Sequence, residues 1–159
     1  MEYHQIEPVY NENSKILILG SFPSVKSRET GFFYGHPQNR FWKTIAAVCE
    51  ERVPVTISEK KEMLLRNGIA LWDVVASCEI EGSADASIRN VKANDIKKLI
   101  GRTSISRIYV NGKTAMKLYR KYLEKPLNRE AVLLPSTSPA NATCSLERLV
   151  EEWQVIKEN

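Results

Sequence analysis

Lys15-Ile16-Leu17-Ile18-Leu19-Gly20 is an unbroken apolar run closed by a glycine. A half-buried strand would alternate apolar and polar residues, so a run of this kind is expected of a strand buried on both faces. Ile69 to Ala76 is a second such run, interrupted by Asp73; Arg107 to Asn111 is a third and Ala131 to Leu134 a fourth, stopped by Pro135. Helical patterns lie between them. Arg40 to Glu50 buries Phe41, Ile45 and Val48. Ser58 caps a helix through Arg66 that Gly68 ends, and Asn94 caps Asp95 to Ile100. Gly112 opens a basic helix to about Leu123, and Ser145 to Lys157 sets Leu146, Leu149, Val150, Trp153 and Ile156 on one face. Buried strands alternating with helices predict an α/β fold, a parallel sheet covered on both sides.

In such sheets ligands bind in the crevice beyond the carboxyl ends of the strands. Three loops fall at that edge: Gly20 to Asn39, Asn111 to Thr114, and Pro135 to Thr143. The first contains the densest chemistry in the chain, Thr30 to Trp42, reading T-G-F-F-Y-G-H-P-Q-N-R-F-W. Aromatic faces such as Phe33 and Tyr34 offer stacking platforms, Gly35 lets backbone approach a ligand, and His36 and Asn39 bring donors and acceptors. A flat, hydrogen-bonding guest such as a nucleobase suits it. Gly20-Ser21-Phe22-Pro23-Ser24 reads either as a fixed turn presenting backbone N–H groups to a ligand or as a plain strand–loop turn. In Pro135-Ser136-Thr137-Ser138-Pro139-Ala140-Asn141 two prolines stiffen a loop of neutral donors, suited to phosphate oxygens or a groove or else an ordinary Ser/Pro-rich connector.

At 159 residues one domain, 1–159, is expected, and 43% apolar with 26% charged residues is ordinary for a globular protein. No apolar run has membrane-spanning length and Met1 to Glu7 has no signal-peptide character, so cytoplasmic residence is expected. Cys49, Cys78 and Cys144 lack C-x-x-C pairing and His4 and His36 are the only histidines, which argues for free thiols and against a metal site or cofactor. Ten lysines and arginines lie between Lys97 and Arg129 against one acidic residue, Glu124. That stretch suits a polyanion or, equally, a solvated helix face. Walker A, G-x-G-x-x-G and G-x-S-x-G patterns are missing, and the two main loops hold no carboxylate but Glu29, which disfavours a paired-carboxylate mechanism.

With G-S-F-P-S at Gly20–Ser24, Y-G-H-P-Q-N at Tyr34–Asn39 and L-P-S-T-S-P-A-N at Leu134–Asn141, the chain resembles the uracil-DNA glycosylase superfamily over about Lys15 to Trp153. It looks most like the hypoxanthine-DNA glycosylase branch, with local likeness to mismatch-specific uracil/thymine glycosylases in T-G-F…H-P-x-N-R-F-W. The resemblance implies a three-layer α/β/α sandwich around a central four-stranded parallel sheet. It also implies an enzyme that flips a deaminated base out of DNA and hydrolyses its glycosidic bond in base excision repair, and with no lysine in either main motif as a Schiff-base nucleophile a monofunctional one is expected. Tyr34 stands where relatives stack a ring on the flipped base, with Gly20 to Ser24, Phe33, Gly35 and His36 around it. Relatives commonly place Asp or Asn at the position of Phe22 to manage the attacking water; here, as in the hypoxanthine branch, Asn39 is the catalytic candidate. Asn39 could equally cap the helix that follows, and His36 could contact the base or hold the loop.

Ser136 to Asn141 matches the motif that contacts DNA and fills the gap left by the base, although Ala140 and Asn141 are not bulky wedges. Gly112 and Lys113 could bind a phosphate or simply begin a helix. Asp73 is expected to accept backbone hydrogen bonds at a strand end, and Trp42, Trp72 and Trp153 to lie in the core. The expected partner is DNA containing deaminated bases, most of all hypoxanthine, met by a monomer that contacts no membrane. The rival readings are a uracil or G·U/G·T mismatch glycosylase and a damaged-DNA-binding module without turnover.

Overall fold

A computed structural model describes residues 1–158. In chain order the elements are β1 (Glu2–Tyr3), β2 (Ile16–Gly20), α1 (Val25–Thr30), α2 (Phe41–Val48), α3 (Ile57–Arg66), β3 (Ile69–Asp73) and β4 (Val75–Glu79). There follow β5 (Arg89–Ala93), α4 (Ile96–Gly101), β6 (Arg107–Asn111), α5 (Lys113–Tyr122), α6 (Glu124–Leu127), β7 (Val132–Leu134) and α7 (Leu146–Trp153).

Four strands form the parallel sheet in the order β3-β2-β6-β7. Both faces of β2 are buried, and its side chains divide between two apolar layers as a period of two requires. Ile16 and Ile18 pack with Phe41, Ile45, Leu64 and Trp153 from α2, α3 and α7. Leu17 and Leu19 face the other way, onto Ile96, Leu99, Met116 and Tyr119 from α4 and α5. The sandwich of helices, sheet and helices is therefore built as the apolar runs predict. Trp42 and Trp153 are core, while Trp72 is only half-buried.

The chain departs from expectation where side-chain hydrogen bonds outweigh pattern. Ile69 to Ala76 is two strands rather than one: β3 stays in the parallel sheet, and β4 joins a second, antiparallel sheet of order β1-β4-β5. Asn94 does not cap α4. Its amide donates to the carbonyls of Asp73 (2.9 Å) and Val75 (3.2 Å), pinning the bend between the two strands, and Asp95 accepts from the Lys98 N–H as the cap. Ser58 likewise lies inside α3. Thr56 caps it, in a reciprocal box with Glu59 that satisfies two backbone donors at once. β7 begins at Val132 rather than Ala131, and the final helix tightens into a 3₁₀ turn over Gln154–Lys157. Among the described residues no helix is long and apolar enough to cross a membrane.

Candidate active site

The carboxyl ends of β2, β3 and β6 are Gly20, Asp73 and Asn111, and all three line a cavity of about 320 Å³. Its other walls come from the loops after β2 and β7, so the sequence-rich loops do converge. A larger hollow of about 710 Å³ adjoins it and contains Gly112, Lys113 and Asn141. Ser136, Ser138 and Ala140 border both and form the partition between them.

The loop after β2 is fixed by its own hydroxyls. Ser24 caps α1 by accepting from the Ser27 N–H at 3.1 Å, and the Ser27 hydroxyl accepts from the Gly35 N–H at 2.9 Å. Ser21, Phe22, Pro23 and Ser24 all border the cavity. Phe22 itself is buried in the apolar layer, its ring edge-on to His4 at 6.1 Å. Phe33 borders the cavity from the core, and its carbonyl accepts from the Trp42 indole at 3.2 Å. Gly35, expected in the cavity, lies outside its lining. A Cβ there would fall 2.6 Å from Thr30 Oγ1, so this glycine serves the packing of the loop on α1.

Tyr34 adopts a left-handed backbone (φ 53°) that turns its ring onto Phe41, with centroids 4.1 Å apart and planes 16° from parallel. One face is thus taken by the core, and the ring borders the cavity with the remainder. Its hydroxyl accepts from Asn111 Nδ2 at 3.2 Å. Burial first, then the Asp73 charge, pushes that hydroxyl well above the usual tyrosine range, so it remains neutral.

Asn111 orients a chain of polar groups. Its Oδ1 accepts from the Thr137 N–H at 3.1 Å, which fixes the amide and aims Nδ2 at Tyr34 and at Thr137 Oγ1, 3.0 Å away. The Thr137 hydroxyl then donates to Asn39 Oδ1 at 2.9 Å, and the Phe41 N–H donates to the same oxygen at 2.9 Å. Asn39 therefore does hold the start of α2. With both donors on Oδ1, its Nδ2 is the end left for the cavity. His36 is half-buried at the cavity, its Nδ1 accepting from the Gln38 N–H at 3.1 Å, which leaves the proton on Nε2.

Thr137, expected against DNA, is 0% exposed; it is an internal link. Asn141 spends its amide on the Ser136 carbonyl at 3.0 Å. Arg40, not singled out by the sequence, clamps the same loop: its guanidinium donates to the carbonyls of Ser138 and Asn141, each at 3.1 Å, and of Cys144. An arginine beside an aromatic motif was the visible signal, but its three acceptors lie about a hundred residues away.

Two carboxylates also enter the cavity, neither from the loops in which they were sought. Asp85, from the turn between β4 and β5, accepts from the Ser21 hydroxyl at 3.2 Å. It is exposed as a residue, yet its carboxyl sits at the cavity, where burial raises it above the usual carboxylate range, the Ser21 bond opposes and the Asp73 charge adds. Among the described residues no backbone N–H donates to the Asp73 carboxylate, contrary to expectation. Its Oδ2 lies 2.8 Å from Nε2 of His4, a residue delivered by the pairing of β1 with β4.

The model of the uracil DNA glycosylase superfamily matches residues 7–157. A hypoxanthine DNA glycosylase of Methanosarcina acetivorans is 36% identical over 152 residues, 93% of each chain. Its counterpart in Methanosarcina barkeri is 33% identical over 143 residues, 89% of each. The solution NMR structure of a Methanosarcina acetivorans protein, described as a candidate uracil DNA glycosylase, superposes with a TM-score of 0.82 at 33% identity. It covers 98% of this chain and 96% of its own. Sheet order, the cavity at the strand ends and these similarities lead to one assignment: the chain belongs to the uracil-DNA glycosylase superfamily.

Proposed function

We propose that this protein is a monofunctional DNA glycosylase that removes a deaminated base, hypoxanthine foremost, by hydrolysis of its glycosidic bond. The observation that carries this reading is the state of Asn39. Two donors occupy its oxygen, so a rigid N–H pair is presented to a cavity of about 320 Å³, within the size range of small-ligand sites. Cleavage passes through an oxocarbenium-like sugar while negative charge develops on the departing base. Donors already in place, Asn39 Nδ2 and His36 Nε2, stabilise that charge without reorganising, which suits a leaving group able to delocalise it.

Phe22 can neither orient nor deprotonate water, and it is buried. Water therefore attacks late, after the bond has largely opened, on a sugar whose positive charge the carboxylates of Asp73 and Asp85 favour. Tyr34 supports the base, and stacking of this kind contributes about 1–3 kcal/mol per base. Ser136, Ser138, Pro139 and Ala140 form the rim that meets the opened duplex, and Lys113 with the exposed Lys117, Arg120 and Lys121 of α5 faces phosphates.

The two Methanosarcina relatives named hypoxanthine DNA glycosylases favour hypoxanthine, while the Methanosarcina acetivorans solution structure carries the uracil name. The test is a panel of duplexes carrying a single deoxyinosine, deoxyuridine, deoxyxanthosine or mismatched thymidine, with abasic product revealed by alkaline strand cleavage. Deoxyinosine should react fastest. Release of no base from any duplex would sink the reading, and faster release of uracil would transfer it to the uracil branch.

A further inference from the structure

The turn between β4 and β5 carries Asp85 and is docked onto the loop after β2 and onto α1. Arg28 donates to the Gly82 carbonyl at 2.5 Å, the Val25 N–H donates to the Ser83 hydroxyl at 2.9 Å, and the Ser21 hydroxyl donates to Asp85 Oδ1 at 3.2 Å. Ser87 closes the turn on itself: its hydroxyl donates to the Ala84 carbonyl at 2.6 Å and accepts from the Glu81 N–H at 2.8 Å. The carboxylate is thus fixed at the cavity although it lies 64 residues from Ser21. Among the described residues Ser21 is its one donor, and Oδ2 bonds no protein group.

Its place is distinctive. A nucleotide with its base in the inner cavity and its phosphates outside must set its sugar at the boundary between the two hollows. Asp73 borders the inner one and Glu152 the outer; among the described residues Asp85 is the carboxylate common to both. Asp73 is also committed elsewhere, 4% exposed and 2.8 Å from His4 Nε2. Asp85, by contrast, is exposed as a residue, so water can reach its carboxylate and a proton can leave it. Burial of the carboxyl at the cavity raises it above the usual carboxylate range, with the Ser21 bond opposing and the Asp73 charge adding. A carboxylate raised in this way is a better proton acceptor than a solvated one.

We propose that Asp85 is a catalytic residue, the group that holds the attacking water and takes its proton. The C1′–N9 bond opens first, and its electron pair leaves with hypoxanthine towards Asn39 Nδ2 and His36 Nε2. Water bonded to Asp85 Oδ2 then adds to C1′, and its proton passes to that carboxylate and on to solvent. The departed base takes one proton from solvent, so one water is consumed for each base released. Phe22 leaves the first loop without a group for this step, and the antiparallel sheet supplies one through its turn. The inference rests on the glycosylase reading above and adds the residue that completes its hydrolytic half.

The test uses Asp85→Asn and Asp85→Ala in the full chain. Asparagine keeps an oxygen for the Ser21 hydroxyl, and so the docked turn, but cannot take a proton. Without a base the opened sugar recombines with hypoxanthine more often than water captures it. Single-turnover release from a deoxyinosine duplex should therefore fall about 100-fold or more, the contribution of a positioned general base. Affinity for a duplex with a tetrahydrofuran abasic mimic should not fall, because the substitution removes a negative charge from a surface that meets phosphates. The denaturation midpoint in urea checks that each variant is folded.

Asp85→Ala should be equally slow, but it opens space beside C1′ for a small anion. Sodium formate, a carboxylate of that size, should accelerate this variant and leave the unaltered protein unchanged. Azide, a nucleophile that needs no base, should accelerate it too and leave a 1′-azido sugar on the strand. Hypoxanthine release by Asp85→Asn at the parental rate would overturn the inference while leaving the glycosylase reading intact. A slow Asp85→Ala that neither formate nor azide accelerates would reduce Asp85 to a prop of the turn and overturn it as well. Failure of the unaltered protein to release any base would instead strike the glycosylase reading.

Discussion

Asn39 has a packing duty in the structure and a chemical one in the proposed reaction. Its oxygen holds the Phe41 N–H and the Thr137 hydroxyl, while its nitrogen remains for the cavity. The two duties separate in Asn39→Asp, which keeps an acceptor for both donors and loses the N–H pair. Asn39→Asp should keep the denaturation midpoint of the parent in urea yet release hypoxanthine at least about 100-fold more slowly, the typical cost of removing one charge-stabilising donor. Asn39→Ala should lose both, with about 1 kcal/mol of stability going with the lost cap. If Asn39→Asp cleaved at the parental rate, the amide would be a cap and nothing more. The motif H-P-x-N made Asn39 visible in the sequence, but that both donors sit on its oxygen depends on Thr137, 98 residues away.

At the level of elements, local sequence predicts strands better than it places helix caps. Apolar runs locate β2, β3 and β6 because burial on both faces leaves no polar position to blur the pattern. Capping residues are short and polar, and several candidates lie within a turn of each other, so hydrogen-bond geometry selects among them. For α3 the structure selects Thr56 over Ser58. Thr56→Ala should therefore cost about 1 kcal/mol in chemical denaturation and leave base release untouched, whereas Ser58→Ala should be close to neutral. The reverse order would mean that the helix begins where its sequence first suggests. The bend between β3 and β4 follows the same logic: the side-chain amide of Asn94, bonding two carbonyls across it, helps divide one apolar run between two sheets.

Across the whole molecule, the layer beneath α5 contributes stability that alkaline pH removes. The Tyr119 hydroxyl donates to the Arg129 carbonyl at 2.7 Å from a fully buried ring. Burial pushes it up to about 12, with Glu124 adding and Arg129 opposing. An unfolded tyrosine ionises near 10, so above about pH 10 the native state binds more protons than the unfolded one, and stability falls as pH rises. This contribution is intact below pH 10 and lost through about pH 12, and Tyr34 adds in the same direction. Denaturation midpoints measured from pH 8 upward should decline past pH 10, and Tyr119→Phe should make the decline shallower; an unchanged slope would exclude Tyr119 as a source. By itself the sequence determined which segments are buried strands, that helices cover both faces, and that three loops meet at one edge. Each follows from local periodicity, which burial imposes along the chain. The tertiary structure alone decided which polar groups face the cavity. His4 meets Asp73 across 69 residues, Thr137 is an internal link rather than a DNA contact, and Asp85 enters from a turn that carries no signal. A buried hydrogen-bonded side chain and a solvated one are the same letter in a sequence, and only the packing around them sets which is which.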